Sequence, residues 1–391
     1  MNVLFVHYGD DWIAGSEIAL LETMRGLTGR GIKPFLWCNA PAMERAAQAS
    51  GIAVRRDDFA YYFDYSSPPF SPAGYLRLVR KAMALITETG AELVHCNSAA
   101  PAQWMSVACW RKRVPWLINM HSPYLRRSRY VLGMHLADEV VAVASAIARP
   151  LIADGMDPGR IRVIYNGFDE TVLMQGEAKA LRSDLQIPAD AVVGAIAGSL
   201  IRRKGHDILF AAMKLLPPAP FHLLVIGDGP ERGSFEAAAR GLPVHFLGRR
   251  NDLGAILRDA ADFLIAPSRQ EAFGRVIIEA AFAGIPAIGA NVDGIPEAIL
   301  DEATGILVQP ESPAELAHAL SRLIADRPLR ARLGQAAQKR AREQFSIEIA
   351  ADAMARAFHE IRDRKGSPGQ RPRGRLQPYR NLLRKVSSAL P

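Results

Sequence analysis

Short apolar runs recur along the whole chain. They alternate with longer segments in which apolar positions return every three or four residues. In the first half the runs fall at residues 3–6, 34–38, 93–95, 116–119, 140–143 and 161–164. In the second half they fall at 193–197, 222–226, 245–247, 263–265, 287–288 and 306–308. Strand-length runs separated by helix-length segments predict a parallel sheet covered on both faces, so the fold class is α/β and doubly wound. Polar, glycine-containing sequence around 166–183 divides the two series and reads as a linker. From residue 313 the periodicity is helical throughout, with helices expected over 314–325, 328–345 and 347–362. This gives two domains facing a cleft, 1–170 and 171–345, with a helix over 346–363 returning to the first. Ligands of open α/β sheets bind at the carboxyl ends of the strands.

Length and composition agree with that division. The chain has 391 residues, 49% hydrophobic and 23% charged, enough for two cored domains. Its three cysteines, Cys38, Cys96 and Cys109, have neither disulfide-scaffold nor metal-site spacing, and suit a reducing compartment. Met1-Asn2 runs directly into an apolar strand pattern, unlike a signal peptide, and no run approaches the ~18 apolar residues of a spanning helix. A cytoplasmic protein is therefore expected.

The net charge of +8 belongs to the tail. Residues 364–391 carry eight Lys or Arg and no acid, so residues 1–363 balance to zero. A body without net charge gives no reason to expect nucleic acid as a partner. Gly/Pro/Arg-rich sequence over 366–378 should be disordered. Beyond it, Tyr379, Leu382, Leu383, Val386 and Leu390 share one helical face, with Arg380, Arg384 and Lys385 mostly on the other. So short a segment should fold only against a surface. An anionic membrane fits its charge, on the inner face of the cytoplasmic membrane.

Several loops offer chemistry. Gly227-Asp228-Gly229-Pro230 follows a strand, but its glycine spacing and proline depart from a dinucleotide fingerprint, and a tight βα turn is the simpler reading. Glu271 precedes a helix expected to start near Phe273-Gly274, whose amide end would face an anion. Glu279 sits about two turns further on, among Val276, Ile277, Ile278 and Ala280, where a carboxylate needs hydrogen-bond donors. An N-terminal cap for Glu271 and a helix-edge acid for Glu279 remain open alternatives. Ala14-Gly15-Ser16-Glu17 opens a helix after the first strand, and is either an anion-approach loop or a cap. His7, His95 and His121 all lie near strand ends.

Glu271 and Glu279 with seven residues between them, Arg203-Lys204-Gly205, Tyr165-Asn166-Gly167-Phe168-Asp169, Gly227-Asp228-Gly229-Pro230 and Asp293-Gly294-Ile295-Pro296-Glu297 together resemble the retaining glycosyltransferases of family 4. The resemblance is dense over 160–345 and thinner over 1–160. It implies the GT-B fold, two Rossmann-like domains, and a UDP- or GDP-type nucleotide sugar as donor substrate, with no permanently bound cofactor and no evident metal requirement. It further implies that Glu279 holds the ribose and Glu271 lies near the donor sugar. Phe273, Gly274 and Arg275 would offer amides to the diphosphate, and Lys204 would neutralise the leaving group. Gly15 would approach a phosphate and His121 the donor sugar. Ser199 stands where the family carries an arginine. Arg202 or Arg203 is the candidate replacement, with a solvated charge run as the alternative.

The activity implied is sugar transfer to a hydroxyl of a sugar or lipid-linked acceptor in bacterial envelope polysaccharide or glycolipid synthesis. The rivals are a GT-B scaffold that binds nucleotide sugar without turnover, and a nucleotide-sugar epimerase. The aromatics Tyr61, Tyr62, Phe63 and Tyr65 within residues 58–71 are expected to shape the acceptor pocket.

Overall fold

A computed structural model describes residues 1–59, 71–366 and 375–387. The chain divides into two compact units, Met1–Gly167 with Ile347–Pro391, and Phe168–Ser346.

The first unit is built on seven parallel strands: β1 (Asn2–His7), β2 (Lys33–Cys38), β3 (Ala53–Arg56), β4 (Leu93–Asn97), β5 (Trp116–Met120), β6 (Glu139–Ala142) and β7 (Ile161–Val163). Their order is β3-β2-β1-β4-β5-β6-β7. The order reverses between β1 and β4, where His7 and Asn97 are register partners at the carboxyl edge. Helix Gly15–Thr28 lays Leu20, Met24 and Leu27 on this sheet. Helix Ile347–Gly366 adds Met354, Phe358 and Ile361 to the same core. Burying a side chain such as Phe358 contributes about 1.5–3 kcal/mol, so the returning helix is part of this unit's stability.

The second unit has six parallel strands: β8 (Val192–Ala197), β9 (Phe221–Ile226), β10 (Val244–Gly248), β11 (Phe263–Ala266), β12 (Ala287–Ala290) and β13 (Gly305–Val308). Their order is β10-β9-β8-β11-β12-β13, with the reversal between β8 and β11. Its core includes Leu209, Phe210, Leu223, Val225, Phe263, Ile265, Leu320 and Leu333.

All twelve expected strands are present. The thirteenth, β3, was not expected: its Ala-Val-Arg-Arg sequence is mostly exposed at the sheet's edge and carries no apolar alternation. The stretch read as a linker is structured. Phe168 is buried against Phe282, and helices Glu170–Leu173 and Leu181–Asp184 follow it.

The tail also departs from expectation. The helix beginning at Ile347 runs on to Gly366, and a second helix spans Gln377–Ser387. The surface it folds against is the first unit. Tyr379 donates its hydroxyl proton to the Tyr130 carbonyl at 3.0 Å, Arg375 pairs with Asp138, and Arg364 pairs with Glu139. Burial beside Tyr130 pushes the Tyr379 hydroxyl up to about 12. Among the described residues, no helix is long and apolar enough to cross a membrane. The aromatics expected near the acceptor, Tyr61, Tyr62, Phe63 and Tyr65, lie outside the described residues.

Candidate active site

The carboxyl edge of the second sheet is a set of tight backbone approaches. Gly227, at φ +137°, packs so closely that a Cβ there would lie 1.9 Å from the Gly198 carbonyl oxygen. The Gly227-Asp228-Gly229 turn is therefore a support for the loop after β8, with Leu200 N–H donating to the Asp228 carbonyl at 3.0 Å. That loop tightens into a single turn, Arg202–Lys204, and ends at Gly205.

Lys204 is directed inward. Its Nζ lies 2.5 Å from Glu271 Oε2, and both side chains are mostly buried, 16% and 13% exposed. Ser268 Oγ is 3.4 Å from the same carboxylate oxygen. Glu271 is fixed through its backbone as well, because its N–H donates to Asp293 at 3.0 Å and its carbonyl accepts from Gly294. Lys204, Ser268, Glu271 and Gly274, with Ile196 and Ile277, line one depression. Its chemistry is a cation held ready by a carboxylate, over an apolar floor.

Helix Arg275–Phe282 begins beside that pair, with Gly274 at φ +86° as its N-terminal flanking residue. The Phe273 side chain is buried edge-on to Phe345, so this residue offers a ligand its backbone rather than its ring. The Arg275 guanidinium lies over Phe168 at 4.3 Å and reaches to 3.6 Å from Glu279. Glu279 is buried, and Arg275 is a partner that offsets its desolvation. The backbone start of the helix and the Glu279 carboxylate thus lie on one element, about one turn apart.

The basic run after β8 is not a free cluster. Arg203 donates to the Gln270 carbonyl at 2.9 Å, and Arg269 donates to the Arg202 carbonyl. Both contacts tie this turn to the loop that carries Glu271. Ser199 and the Arg202 and Arg203 side chains are exposed. Buried His206, next to Lys204, stacks on Phe235 at 4.9 Å. Burial and the Lys204 charge push His206 down to about 4, so it adds no charge here at neutral pH.

On the first unit, helix Gly15–Thr28 starts at Gly15, with Glu17 folded back over the turn. Glu17 Oε2 accepts from Ala14 N–H at 3.1 Å and from the Ser16 hydroxyl at 2.9 Å, while Oε1 lies 3.2 Å from His7 Nε2. Burial pushes this carboxyl up, but the His7 hydrogen bond and charge and the local donors outweigh it and bring it down to about 2. His121 Nε2 lies 2.8 Å from Asn97 Oδ1. His95 is not at the site. It is fully buried between Phe5 and Phe358, and burial with the neighbouring His121 pushes it down to about 3.

These features match known proteins over most of the chain. Residues 177–340 match the glycosyl transferases group 1 family, and residues 13–172 match Glycosyltransferase Family 4. D-inositol 3-phosphate glycosyltransferase of Mycobacterium tuberculosis is 32% identical over 401 residues, covering 93% of this chain and 82% of that protein. The same-named protein of Stackebrandtia nassauensis is 27% identical, covering 92% and 89%. The chain belongs to the GT-B glycosyltransferases. Anabaena HepE, solved with UDP and glucose, superposes with a TM-score of 0.80 at 24% identity, covering 92% of this chain and all of that one.

Within this glycosyltransferase, Lys204, Glu271, Gly274, Arg275 and Glu279 lie along one edge of the second sheet, and Arg203 is anchored to the same loop. Gly15 and His121 belong to the carboxyl edge of the first. Asp293, itself at a φ of +44°, accepts from the Glu271 N–H; the sequence names it only within a motif, without a role, and Asn97, which bonds to His121, is not singled out there. The signal for Asn97 was a polar residue closing an apolar strand. Among the described residues, no cluster of three or more His, Cys, Asp or Glu suits a metal ion.

Proposed function

We propose that the protein is a retaining glycosyltransferase that uses a UDP-type sugar donor and an acceptor hydroxyl, in the synthesis of envelope polysaccharide or glycolipid. The observation that carries this reading is the Lys204–Glu271 pair beside the start of helix Arg275–Phe282. A diphosphate leaving group needs a cation and oriented N–H groups in a partly dehydrated setting, and these are the groups gathered there. HepE, of like fold, was solved with UDP.

In this reading Glu279 accepts hydrogen bonds from the ribose, and Lys204 with the amides of Phe273, Gly274 and Arg275 stabilises the diphosphate. Glu271 orients Lys204 and lies near the donor sugar. Gly15 and His121 of the first unit are the candidate contacts to a donor phosphate and sugar. The bond from the anomeric carbon to the phosphate oxygen breaks, and the acceptor oxygen bonds to that carbon on the same face. The acceptor proton passes to the departing phosphate. The protein then supplies orientation and electrostatic stabilisation more than acid–base chemistry. Arg202 or Arg203 supplies the second cation that Ser199 does not.

Calorimetric titration with UDP and GDP, followed by assay of UDP-sugars, tests this reading. D-inositol 3-phosphate, named in two relatives, is the first acceptor to try. Expected are UDP binding, acceptor-dependent UDP release and a product with the donor's anomeric configuration. Absence of binding to either nucleotide overturns the reading. We also propose that the basic tail attaches the protein to the inner face of the cytoplasmic membrane, where a lipid-linked acceptor is found.

A further inference from the structure

The motif Tyr165-Asn166-Gly167-Phe168-Asp169 lies far upstream of helix Arg275–Phe282, yet it seats one ring against that helix. The local chain explains how. A Cβ at Gly167 would lie 2.8 Å from the Ile347 Cα, so only a bare backbone passes this close to the returning helix. Phe168 then donates its N–H to the Phe345 carbonyl at 2.9 Å and bridges in parallel to Ser346. Asp169 turns the chain into the next helix by accepting from the Thr171 and Val172 amides. Phe168 is thus fixed by backbone on both sides, and it is buried.

Its ring meets the helix at two points. The Arg275 guanidinium lies 4.3 Å from the ring centroid, and the Phe282 ring lies 6.0 Å away, tilted by 45°. Arg275, Glu279 and Phe282 are spaced by four and three residues, so they share one helix face. Phe168 therefore packs along the face on which Glu279 stands. Arg275 Nη2 is 3.6 Å from Glu279 Oε1, and both side chains are mostly buried. A guanidinium is planar, and stacking on an aromatic face limits where its N–H groups can lie. A cation fixed in this way favours the arrangement of Glu279 that turns Oε1 toward it.

We propose that Phe168 and Arg275 are positioning residues for Glu279. The ring seats the guanidinium, and the guanidinium sets the direction in which the carboxylate meets the ribose of a nucleoside diphosphate. Each of the two ribose hydroxyls can donate to a carboxylate, and both bonds form only when the carboxylate is turned to receive them. This role rests on the ribose reading of Glu279 above; the seat of Arg275 on Phe168 does not.

Calorimetric titration of the full chain with UDP and with 2′-deoxy-UDP tests it. Wild type should bind UDP about tenfold or more tightly, because the deoxy analogue leaves one bond to the carboxylate unmade. Arg275→Met keeps an unbranched stem over the ring and removes the cation. It should bring the affinity ratio down to about threefold or less. Phe168→Leu should also lower the ratio, but change it little further in an Arg275→Met background. A general loosening of the fold weakens both nucleotides together and leaves the ratio where it was.

A ratio that survives Arg275→Met but collapses in Glu279→Gln overturns the proposal and leaves Glu279 on the ribose. A ratio near unity in wild type, or one that Glu279→Gln leaves intact, takes Glu279 off the ribose, and the proposal falls with that reading. If Phe168→Leu lowers the ratio equally in both backgrounds, the ring does not act through the guanidinium and its role is overturned. Should Phe168→Leu not fold, Arg275→Met decides alone.

Discussion

Lys204 and Glu271 are 2.5 Å apart, so any anion that engages Lys204 must compete with a carboxylate already in place. On the proposed reading, Lys204→Ala removes charge stabilisation from the leaving group, and it takes from Glu271 its cationic partner. Turnover should fall by about 10²–10³, with a smaller change in donor affinity. Glu279→Gln should act on binding instead. Loss of charge-assisted hydrogen bonds of about 1.5–3 kcal/mol weakens UDP roughly 10- to 150-fold by calorimetry. Unchanged affinity in a folded Glu279→Gln protein removes Glu279 from the site. Glu17 has its own pH signature. Its folded value of about 2 lies below the ordinary 4.5, so its stabilisation is complete above about 4.5 and is lost as pH falls toward 2. The Tm difference between wild type and Glu17→Gln should accordingly shrink between about pH 5 and pH 3. Glu271 and Glu279 were visible as candidates because their spacing is local. The Lys204–Glu271 and His7–Asn97 pairings span 67 and 90 residues, and only the parallel sheet brings their members together.

At the scale of elements, the βα loops of the second sheet support one another through bare backbone. Gly205, at φ +76°, would place a Cβ 2.1 Å from the Pro267 carbonyl oxygen, which neither backbone can give way to without moving the loop. Gly205→Ala should therefore cost about 3 kcal/mol or more, combining left-handed strain with overlap, and should displace Lys204. A denaturant titration measures this, and a loss below about 1 kcal/mol would show that the loop has room to relax. The strands were legible because each is a short apolar run bounded by turn residues. β3 escaped because an exposed edge needs no apolar face, and its arginines pair outward, Arg56 with Glu44 and Arg55 with Asp57. The tail helix was legible as an amphipathic pattern, but its covering surface was not. Tyr130 and Asp138 lie more than two hundred residues upstream of the tail residues they meet.

For the whole molecule, the basic residues of the tail helix are the proposed membrane contact. Arg380 is exposed, and Arg384 and Lys385 follow it on the same helix. At about 1 kcal/mol per basic residue near an anionic surface, Arg384→Glu with Lys385→Glu should cut sedimentation with anionic liposomes by tenfold or more. Equal sedimentation of variant and wild type would end the membrane proposal. The helix Ile347–Gly366 has a different consequence, which concerns time. Its Met354, Ala355, Ala357, Phe358 and Ile361 complete a core whose other buried members precede residue 168. A chain leaving the ribosome therefore exposes the whole 168–346 unit before the first unit can close. That inserted unit begins and ends at one place, since Phe168 N–H donates to the Phe345 carbonyl at 2.9 Å. The nascent first half must wait, with Leu20 and Met24 uncovered by their last partner, while its younger neighbour folds. A chain stalled at residue 346 should be cleaved by protease in its first half and protected in its second.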